Sequence, residues 1–429
     1  MHDRFRPTLH IRPERGWVND PNGIIDAGGR THVFFQYNPD SPTHTNIHWG
    51  HYSSSDGVRW DEHPVALAPT PGGIDAAGCW SGVATWEDER DDFALVYSGV
   101  QPGMTDISYP VVARRRDTDA DVWDDKTPVE LDPYSPDIAQ VRDPFLFTAA
   151  GRRWALQGAG YHDGRACILL YAVDNLTHWR LVSTLLTSDA VPEEAQAEVW
   201  ECPQIVEITP GRYALFVALW KSVNRVAASN LAGCEWIVGD IDFTTETPTM
   251  HPTDVGRVDH GPDFYAPQIA RLCAGNVLWG WTWESHEEDE ATRIARGYQG
   301  ALTFPRVLRF RNDRPVWELP EALTALRART LDVNEVSSVH AWEAIVSASS
   351  ATTIGIANKE FTVADTTRIL VDGNLVEIFE GEPCERPRTV RVDATDGVAL
   401  RVPGGVEVHC WELASTRADH SRGGATEAR

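Results

Sequence analysis

Short β-strand patterns that recur with tryptophan at nearly regular intervals constrain the fold of this chain most. From residue 11 to about residue 320, brief runs of β-branched and aromatic residues alternate with turn residues, as at 31–37, 93–97, 154–157 and 213–218. Such runs are typical of short antiparallel strands. No long stretch in this region has the periodicity of an amphipathic helix. The sequence therefore predicts an all-β fold.

Four tryptophans mark an internal repeat. Trp60, Trp123, Trp179 and Trp236 each follow a polar turn residue by a few positions. The interval between them is about 56 to 63 residues, which gives each unit room for four short strands, the content of one propeller blade. A β-sandwich holds as many strands but does not explain this period. The pattern predicts a propeller of about five blades.

The C-terminal quarter differs from the repeat region. Residues 320–330 are the one candidate for a longer helix, and shorter strand patterns follow at 353–356, 368–371, 375–379 and 406–411. Asp372-Gly373-Asn374 is typical of a hairpin turn, so a small antiparallel β-sandwich is expected here. The predicted domains are a propeller at 1–320, a helical connector at 321–330, the β-sandwich at 331–413 and a disordered tail at 414–429.

Charge and composition narrow the classes of function. The net charge of −25 argues against nucleic acid or an anionic membrane surface as a partner. Seven cysteines, an odd number with no Cys-x-x-Cys pair, indicate reduced thiols. No apolar run resembles a secretory signal or a membrane span. We therefore expect a cytoplasmic protein that acts on a small molecule; the oligomeric state stays open. The 17 tryptophans suit a core, and an indole face also suits the apolar face of a sugar ring.

One motif presents a carboxylate in an unusual setting. Trp-Val-Asn-Asp-Pro-Asn-Gly occupies residues 17–23. Pro21 favours an extended conformation at Asp20, and Asn22-Gly23 favours a turn. Asp20 is thus predicted at the end of a short strand just before a tight turn. That position suits a nucleophile, but these residues alone are equally compatible with a solvated Asx turn.

Two further carboxylates stand beside prolines. Asp143 lies between Arg142 and Pro144, and Glu201 lies in Val-Trp-Glu-Cys-Pro at 199–203. The arginine is expected to keep Asp143 ionised, whereas apolar neighbours are expected to raise the pKa of Glu201. Carboxyl groups in opposed environments are typical of acid/base catalysis. A surface ion pair is the alternative for Asp143 and Arg142.

Taken together and in this order, the three motifs resemble the signatures of glycoside hydrolase family 32, the β-fructofuranosidases. Similar family segments occur at 35–39, 48–51, 80–82, 263–268 and 302–306. The resemblance runs from about residue 12 to residue 319. The chain departs from the family pattern at Val83, in 107–111, where a glutamine is common, and in its short C-terminal domain.

The resemblance implies a five-bladed β-propeller followed by a small β-sandwich. It implies that Asp20 is the nucleophile, Glu201 the general acid/base and Asp143 the transition-state stabiliser. It also implies a set of residues that bind the fructosyl unit or line its pocket: Asn19, Gln36, Trp49, Trp80, Ser81, Arg142, Asp263 and Trp281. No metal or other cofactor is expected, because His44, His48 and His51 lack the spacing of a His-Glu-x-x-His site.

The leading hypothesis is a retaining exo-β-fructofuranosidase that removes terminal fructose from sucrose or short fructo-oligosaccharides. A fructosyltransferase or a sucrose-6-phosphate hydrolase would use the same residues with another acceptor or substrate. A propeller that binds sugar without catalysis would be expected to lack a carboxylate, and all three are present. A related five-bladed family acting on arabinose-containing chains shares the fold, but the Asn-Asp-Pro-Asn-Gly and Glu-Cys-Pro motifs favour fructose. The three departures from the family pattern leave the leaving-group preference open.

Overall fold

The computed structural model describes residues 3–116, 121–222, 230–284 and 290–414, which are mostly β-strands. The first blade contains β1 (Gly16–Ala27), β2 (Arg30–Asn38), β3 (His48–Ser54) and β4 (Asp61–Glu62). The second contains β5 (Gly78–Glu87), β6 (Asp92–Gln101), β7 (Met104–Arg114) and β8 (Asp125–Pro128). A short β9 (Glu130–Leu131) precedes the third blade, which contains β10 (Ile138–Ala149), β11 (Arg152–Tyr161), β12 (Ala166–Asn175) and β13 (His178–Thr187).

Two more blades follow along the chain. The fourth contains β14 (Val199–Thr209), β15 (Arg212–Trp220), β16 (Leu231–Ile241) and β17 (Met250–Arg257). The fifth begins with β18 (Tyr265–Leu272) and β19 (Gly275–Thr282), and it continues after the short β20 (Tyr298–Gln299) and β21 (Ala301–Leu302) with β22 (Arg306–Arg311) and β23 (Arg314–Glu318). An α-helix, α1 (Glu290–Arg296), precedes β20. It is too short to cross a membrane, and no longer helix occurs among the described residues.

The five blades form a closed ring. The first strand of each blade contacts the first strand of the next, in the order β1, β5, β10, β14 and β18, and β18 contacts β1 again. The short β20 also pairs in parallel with the start of β1. Closure leaves few open sheet edges, which is how a propeller avoids edge-to-edge association. The all-β propeller expected from the repeat is confirmed.

The C-terminal sheets pack face to face. A six-stranded sheet has the order β24-β32-β25-β28-β29-β30, and a three-stranded sheet has the order β27-β26-β31. Their ranges are β24 (Arg327–Leu331), β25 (Ala341–Ser347), β26 (Thr352–Ile356), β27 (Lys359–Val363), β28 (Thr366–Asp372), β29 (Leu375–Glu380), β30 (Arg388–Arg391), β31 (Leu400–Arg401) and β32 (Glu407–Leu413). A cluster of buried aliphatic residues around Trp342 fills the space between the sheets.

The predicted helical connector at 321–330 is only partly correct. A 3-10 helix covers Glu321–Leu326, and the next residues form β24, which pairs with β32. Arg327 explains the change, because its guanidinium lies 3.8 Å from the ring centroid of Trp411 and forms an ion pair with Glu343. These tertiary contacts override the local helix propensity. The predicted tail at 414–429 lies outside the described residues, apart from Ala414.

Buried charges join the propeller to the sandwich. His10, near the first blade, lies 2.8 Å from Asp372 and 3.2 Å from Glu377 of the sandwich. Arg306 of the fifth blade forms ion pairs with Glu377 and Asp259, and all three side chains are fully buried. Removing one member of such a network leaves an uncompensated buried charge, which is strongly destabilising. This network therefore fixes the sandwich against the propeller.

The His10→Ala substitution is expected to destabilise the protein by about 3 kcal/mol at acidic to neutral pH. The pKa of His10 is raised: burial opposes its charge, but the hydrogen bonds and charges of Asp372 and Glu377 outweigh that effect. A group whose pKa is raised in the folded state contributes stability that is fully present below its unfolded pKa. This contribution is lost as pH rises through its folded pKa. The difference in the free energy of unfolding between the wild type and His10→Ala should therefore be larger at about pH 5.5 than at about pH 8.5.

Thermal denaturation of the wild type and the variant at both pH values measures this difference. His178→Ala is the matched control, because the His178 side chain is 56% exposed and pairs only at the surface with Glu130. An equal loss of stability from His10→Ala at both pH values would contradict the assignment.

Candidate active site

The pairing of each innermost strand with its neighbour is interrupted by a register shift. The strand pairing shifts after Val18 in β1, after Trp80 in β5, after Arg142 in β10, after Glu201 in β14 and after Tyr265 in β18. Four of the five shifts contain a proline, which has no N–H for the ladder. Such bulges redirect side chains and are frequent beside active sites. Here they turn polar groups from all five blades toward one place.

The local conformation differs from the prediction at Asp20 and from the preference of a residue before proline at Asp143. Asp20 lies inside β1 rather than at a strand end, and Asn22-Gly23 forms a second irregularity in the same strand. Asp143 has a φ of 60° and Cys202 a φ of 48°, although each precedes a proline. A residue before proline favours extended backbone, and these left-handed conformations coincide with the bulges of β10 and β14. Strain of this kind is typical of functional sites.

Asp20 is held by three nitrogen and hydroxyl donors in addition to the thiol of Cys202. Its Oδ2 accepts hydrogen bonds from Ser81 Oγ at 2.5 Å and Gln36 Nε2 at 3.1 Å, and its Oδ1 accepts one from Asn19 Nδ2 at 3.1 Å. Burial raises the pKa of Asp20, and the negative charge of Glu201 adds to that effect, while the bond from Ser81 opposes it. The donors therefore fix the direction of the carboxylate and support its ionised form.

Asp143 is the most desolvated of the three acids. Its backbone N–H donates to Ser98 Oγ at 2.8 Å, and its Oδ2 accepts from the backbone N–H of Cys202 at 2.9 Å. Burial, together with the charge of Glu201, raises the pKa of Asp143 to about 7, although Arg142 opposes the rise. The expectation that the neighbouring arginine keeps Asp143 ionised stays a prediction: Arg142 lowers the pKa of Asp143, but burial and the charge of Glu201 raise it more.

Glu201 has polar partners rather than apolar ones. Arg142 Nε donates to Glu201 Oε1 at 2.9 Å, and Tyr265 OH donates to Oε2 at 2.7 Å. The predicted apolar environment of Glu201 is wrong. The bulge after Arg142 redirects the side chains of β10, and Arg142 reaches Glu201 of the next blade instead of pairing with Asp143. The carboxyl group is thus oriented by two donors while its side chain keeps 15% of its surface exposed.

The sulfur of Cys202 lies between two of the acids. Cys202 Sγ is 3.5 Å from Asp20 Oδ2 and 3.6 Å from Asp143 Oδ2. Together with Ser81, Gln36 and the other donors described above, this contact places Asp20, Asp143 and Glu201 in one constellation. Residues 182 positions apart in the chain meet here because the propeller closes on itself.

Two of the predicted sugar-binding residues are buried away from the pocket. Trp49 is fully buried and donates its indole N–H to the backbone oxygen of Trp80, so it supports the pocket wall from behind. Asp263 is also fully buried and accepts a hydrogen bond from the backbone N–H of Arg391 in the sandwich. Both predictions of sugar contact are corrected. Trp281 is 5% exposed, and its binding role stays a prediction.

The family is decided by comparison of the whole propeller region. The family model described as "Glycosyl hydrolases family 32 N-terminal domain" matches residues 10–318. The chain belongs to glycosyl hydrolase family 32. This match covers all five blades and every acid of the constellation, as the order of the three motifs predicts.

Relatives in family 32 include enzymes with different named substrates. A sucrose-6-phosphate hydrolase of Zymomonas mobilis is 30% identical over 321 residues, which are 72% of this chain and 60% of the relative. An extracellular exo-inulinase of Aspergillus niger is 31% identical over 305 residues, or 61% of this chain and 54% of the relative. The matched region thus spans little more than half the length of these relatives.

Solved family 32 structures share the whole architecture. A Bombyx mori GH32 β-fructofuranosidase has a TM-score of 0.79 at 22% identity, covering 97% of this chain and 95% of that one. Fructan 1-exohydrolase IIa of Cichorium intybus has a TM-score of 0.77 at 18% identity, covering 97% and 98%. Because the alignments span both parts of the chain, the propeller and the following β-sandwich are both family 32 features.

Some contacts of this family 32 site were missed in the sequence. Trp17 donates its indole N–H to Asn19 at 2.7 Å, and Tyr265 bonds Glu201. The sequence did contain a signal for Tyr265. Tyr-Ala-Pro at 265–267 places a polar side chain two positions before a proline, as Glu-Cys-Pro does at 201–203. Ser98 and His44 carried no such signal, since their places depend on how the blades meet.

A histidine cluster lies elsewhere in the first blade. His51, His63 and Asp121 are close enough together to hold a metal ion. However, the rings of His51 and His63 stack 4.2 Å apart, and both nitrogens of His63 already have partners, Asp121 and Ser53. Packing and hydrogen bonding account for this cluster, and the expectation of no metal stays a prediction.

In this family 32 member, Tyr265→Phe is expected to lower kcat by about tenfold or more, since it removes a hydrogen bond to a carboxylate. Phenylalanine keeps the ring that lies 6.4 Å from that of Trp281, so the fold should be unchanged. Steady-state kinetics on sucrose measures the effect. Tyr213→Phe is the matched control, because its hydroxyl bonds Glu207 at the far end of β14. Equal activity of both variants would contradict the role of Tyr265.

Proposed function

We propose that the protein is a retaining exo-β-fructofuranosidase that hydrolyses the terminal β-D-fructofuranosyl unit of sucrose or short fructo-oligosaccharides. The observation that carries this proposal is the meeting of Asp20, Asp143 and Glu201 at the bulges of three inner strands, joined by Cys202 and Arg142. A retaining glycosidase needs one carboxylate as nucleophile and a second carboxyl group as acid and then base. Family 32 membership supports the same assignment.

In the first step, Asp20 attacks C2 of the fructosyl unit as the bond from C2 to the leaving oxygen breaks. Glu201 gives its proton to that oxygen, so the leaving sugar departs neutral. In the second step Glu201, now ionised, takes a proton from water, and the water oxygen displaces Asp20 from C2. The enzyme returns to its starting state with one fructose and one shortened sugar released.

The remaining polar residues orient the carboxyl groups of Asp20 and Glu201 or are proposed to bind the sugar. Ser81, Gln36 and Asn19 hold the carboxylate of Asp20 before the reaction, which lowers the cost of orienting it. Arg142 does the same for Glu201. Asp143 is proposed to accept hydrogen bonds from fructose hydroxyls that strengthen as positive charge develops on the ring.

Hydrolysis of sucrose 6-phosphate is the second candidate. The relatives with 29–31% identity include sucrose-6-phosphate hydrolases of Escherichia coli and Bacillus subtilis. A phosphorylated substrate requires cationic side chains at the pocket rim. The net charge of −25 does not favour this candidate, but a local basic rim would not appear in that sum.

A cytoplasmic location and a small sugar as the partner belong to the same proposal. All seven cysteines are free thiols, and six are buried. Free thiols without disulfides are typical of a reducing compartment.

Product analysis tests the proposal. Purified protein is incubated with sucrose, kestose, inulin, levan and sucrose 6-phosphate, and products are followed by chromatography over time. Equal release of glucose and fructose from sucrose, with slower release from long polymers, is expected. Oligosaccharide growth at high sucrose would instead establish a transferase. Much faster turnover of sucrose 6-phosphate would establish the second candidate, and no release from any substrate would refute both.

A further inference from the structure

His44 borders the pocket without belonging to any of the motifs. It lies in the loop between β2 and β3, where its ring centroid is 5.9 Å from that of Trp17 and 5.6 Å from that of Trp80. Its Nε2 is 3.3 Å from Oε1 of Gln36. The imidazole thus stands between two indoles and touches a residue that contacts Asp20.

The hydrogen bonds of Gln36 fix the direction of this contact. Gln36 Nε2 donates to Ser81 Oγ at 2.6 Å and to Asp20 Oδ2 at 3.1 Å. Both amide hydrogens are therefore used, and Oε1 is left to accept a hydrogen bond. His44 supplies it when its tautomer carries the proton on Nε2. With the amide reversed, Oε1 would face the carboxylate oxygen of Asp20, and two acceptors would be in contact.

We propose that His44 is a positioning residue, which donates Nε2–H to Gln36 and thereby keeps the amide group of Gln36 directed at Asp20. This inference rests on the proposed role of Asp20 as nucleophile. It assigns to His44 a second task as well, since the ring continues the aromatic wall formed by Trp17 and Trp80.

The loop that carries His44 is built to hold it still. The buried Asn38 donates from Nδ2 to Thr43 O at 3.1 Å and to Thr45 Oγ1 at 3.2 Å, on either side of His44. The side-chain Oδ1 of Asn38 accepts from the backbone N–H groups of Asp40 and Ser41. Both ends of the loop are thus tied to one side chain, and a fixed imidazole can hold an amide in one orientation.

The environment keeps His44 neutral. His44 is an exposed residue, and desolvation by the protein packed around its ring lowers the pKa of His44. A neutral imidazole has one N–H donor and one acceptor nitrogen. Near neutral pH the bond to Gln36 is therefore made without placing a positive charge between the two indoles.

Two variants separate the donor from the ring. His44→Phe keeps an aromatic ring and loses the N–H, whereas His44→Gln keeps an N–H at similar reach and loses the ring. With His44→Phe we expect kcat/KM to fall about tenfold, the effect of one hydrogen bond. The acidic limb of its pH profile should move to higher pH, because Asp20 is less well supported as an anion. With His44→Gln the acidic limb of the pH profile should stay at the wild-type pH, because the N–H donor is kept. KM should rise, because the ring is lost.

Asp143, Glu201 and Cys202 also face Asp20, and all three are unchanged in both variants. A shift confined to His44→Phe therefore reports the lost donor. An acidic limb that is identical in all three proteins, or that moves equally in both variants, would overturn the proposal. His48→Phe is the control for replacing a histidine next to the loop, because His48 Nδ1 bonds the backbone oxygen of Asn46.

A second readout does not depend on turnover. Fructose is titrated into the wild type and both variants over the same pH range, and tryptophan fluorescence reports binding beside Trp17 and Trp80. The pH below which binding weakens should rise in His44→Phe alone. If the wild type turns over no β-fructofuranoside, the proposed function has failed, and this titration still decides the role of His44. Failure of the wild type to bind fructose, or equal pH dependence in all three proteins, would overturn it.

Discussion

Replacing Asp20 with asparagine is expected to lower kcat on sucrose by about 10⁴-fold or more, which is typical for loss of a catalytic nucleophile. An amide does not attack C2 at a useful rate, and no other described carboxylate is held in the same position by Ser81, Gln36 and Asn19. The covalent fructosyl-enzyme cannot form, so both steps of the reaction are lost together.

The fold of this variant should be unaffected. Burial raises the pKa of Asp20, and the charge of Glu201 adds to that effect, so the ionised group is destabilised in its own site. A neutral amide removes that repulsion. The amide nitrogen must face one donor, Asn19 Nδ2, so the thermal midpoint of Asp20→Asn should stay close to that of the wild type.

Two measurements accompany the kinetics. Asp61→Asn is the control on the same blade, because Asp61 is an exposed carboxylate paired with Arg30 and such pairs contribute little. NMR of the first product formed by the wild type should show the β anomer of fructose, the result of two displacements. Appreciable residual activity of Asp20→Asn, or α-fructose as the first product, would contradict the assignment of the nucleophile.

The fold was predictable from the sequence because its signals are local and repeated. Strand patterns with a tryptophan interval of about 60 residues correspond to blades of four strands, whatever the sequence of each blade. The connector was harder to predict. The helix ends before Arg327, because Arg327 contacts Trp411 and Glu343, and the local sequence does not reveal these contacts.

The pairing of charges in the site was not predictable in the same way. Arg142 and Asp143 are neighbours in sequence, but the bulge that follows Arg142 in β10 redirects their side chains. Arg142 therefore meets Glu201, which is 59 positions away, and Asp143 meets the backbone of Cys202. The bulges also give Asp143 and Cys202 a left-handed backbone, against the local preference of a residue before proline.

Replacing Glu201 with glutamine is expected to lower kcat by about 10²- to 10⁴-fold, the range for removal of a general acid/base. The loss should depend on the leaving group. Sucrose needs a proton on its departing oxygen, whereas a nitrophenyl β-fructofuranoside leaves as a stable anion. The first step should thus be slowed strongly for sucrose and only weakly for the nitrophenyl substrate.

The glutamine should fit the site with little rearrangement. Its oxygen can accept from Arg142, which has only donors, and its amide N–H can face Tyr265, whose hydroxyl can turn to accept. Glu207→Gln is the matched control, because Glu207 is an exposed carboxylate on the same strand. It should retain activity on both substrates.

Added azide separates the two tasks of Glu201. In the second step the glutamine cannot take a proton from water, so the fructosyl-enzyme accumulates with the nitrophenyl substrate. Azide needs no base, and it should restore turnover of that substrate but not of sucrose, for which protonation of the leaving oxygen is still missing. A uniform loss on both substrates without rescue would mean that Glu201 orients the sugar rather than transferring the proton. Arg142 and Tyr265 would then be holding a binding group rather than the acid.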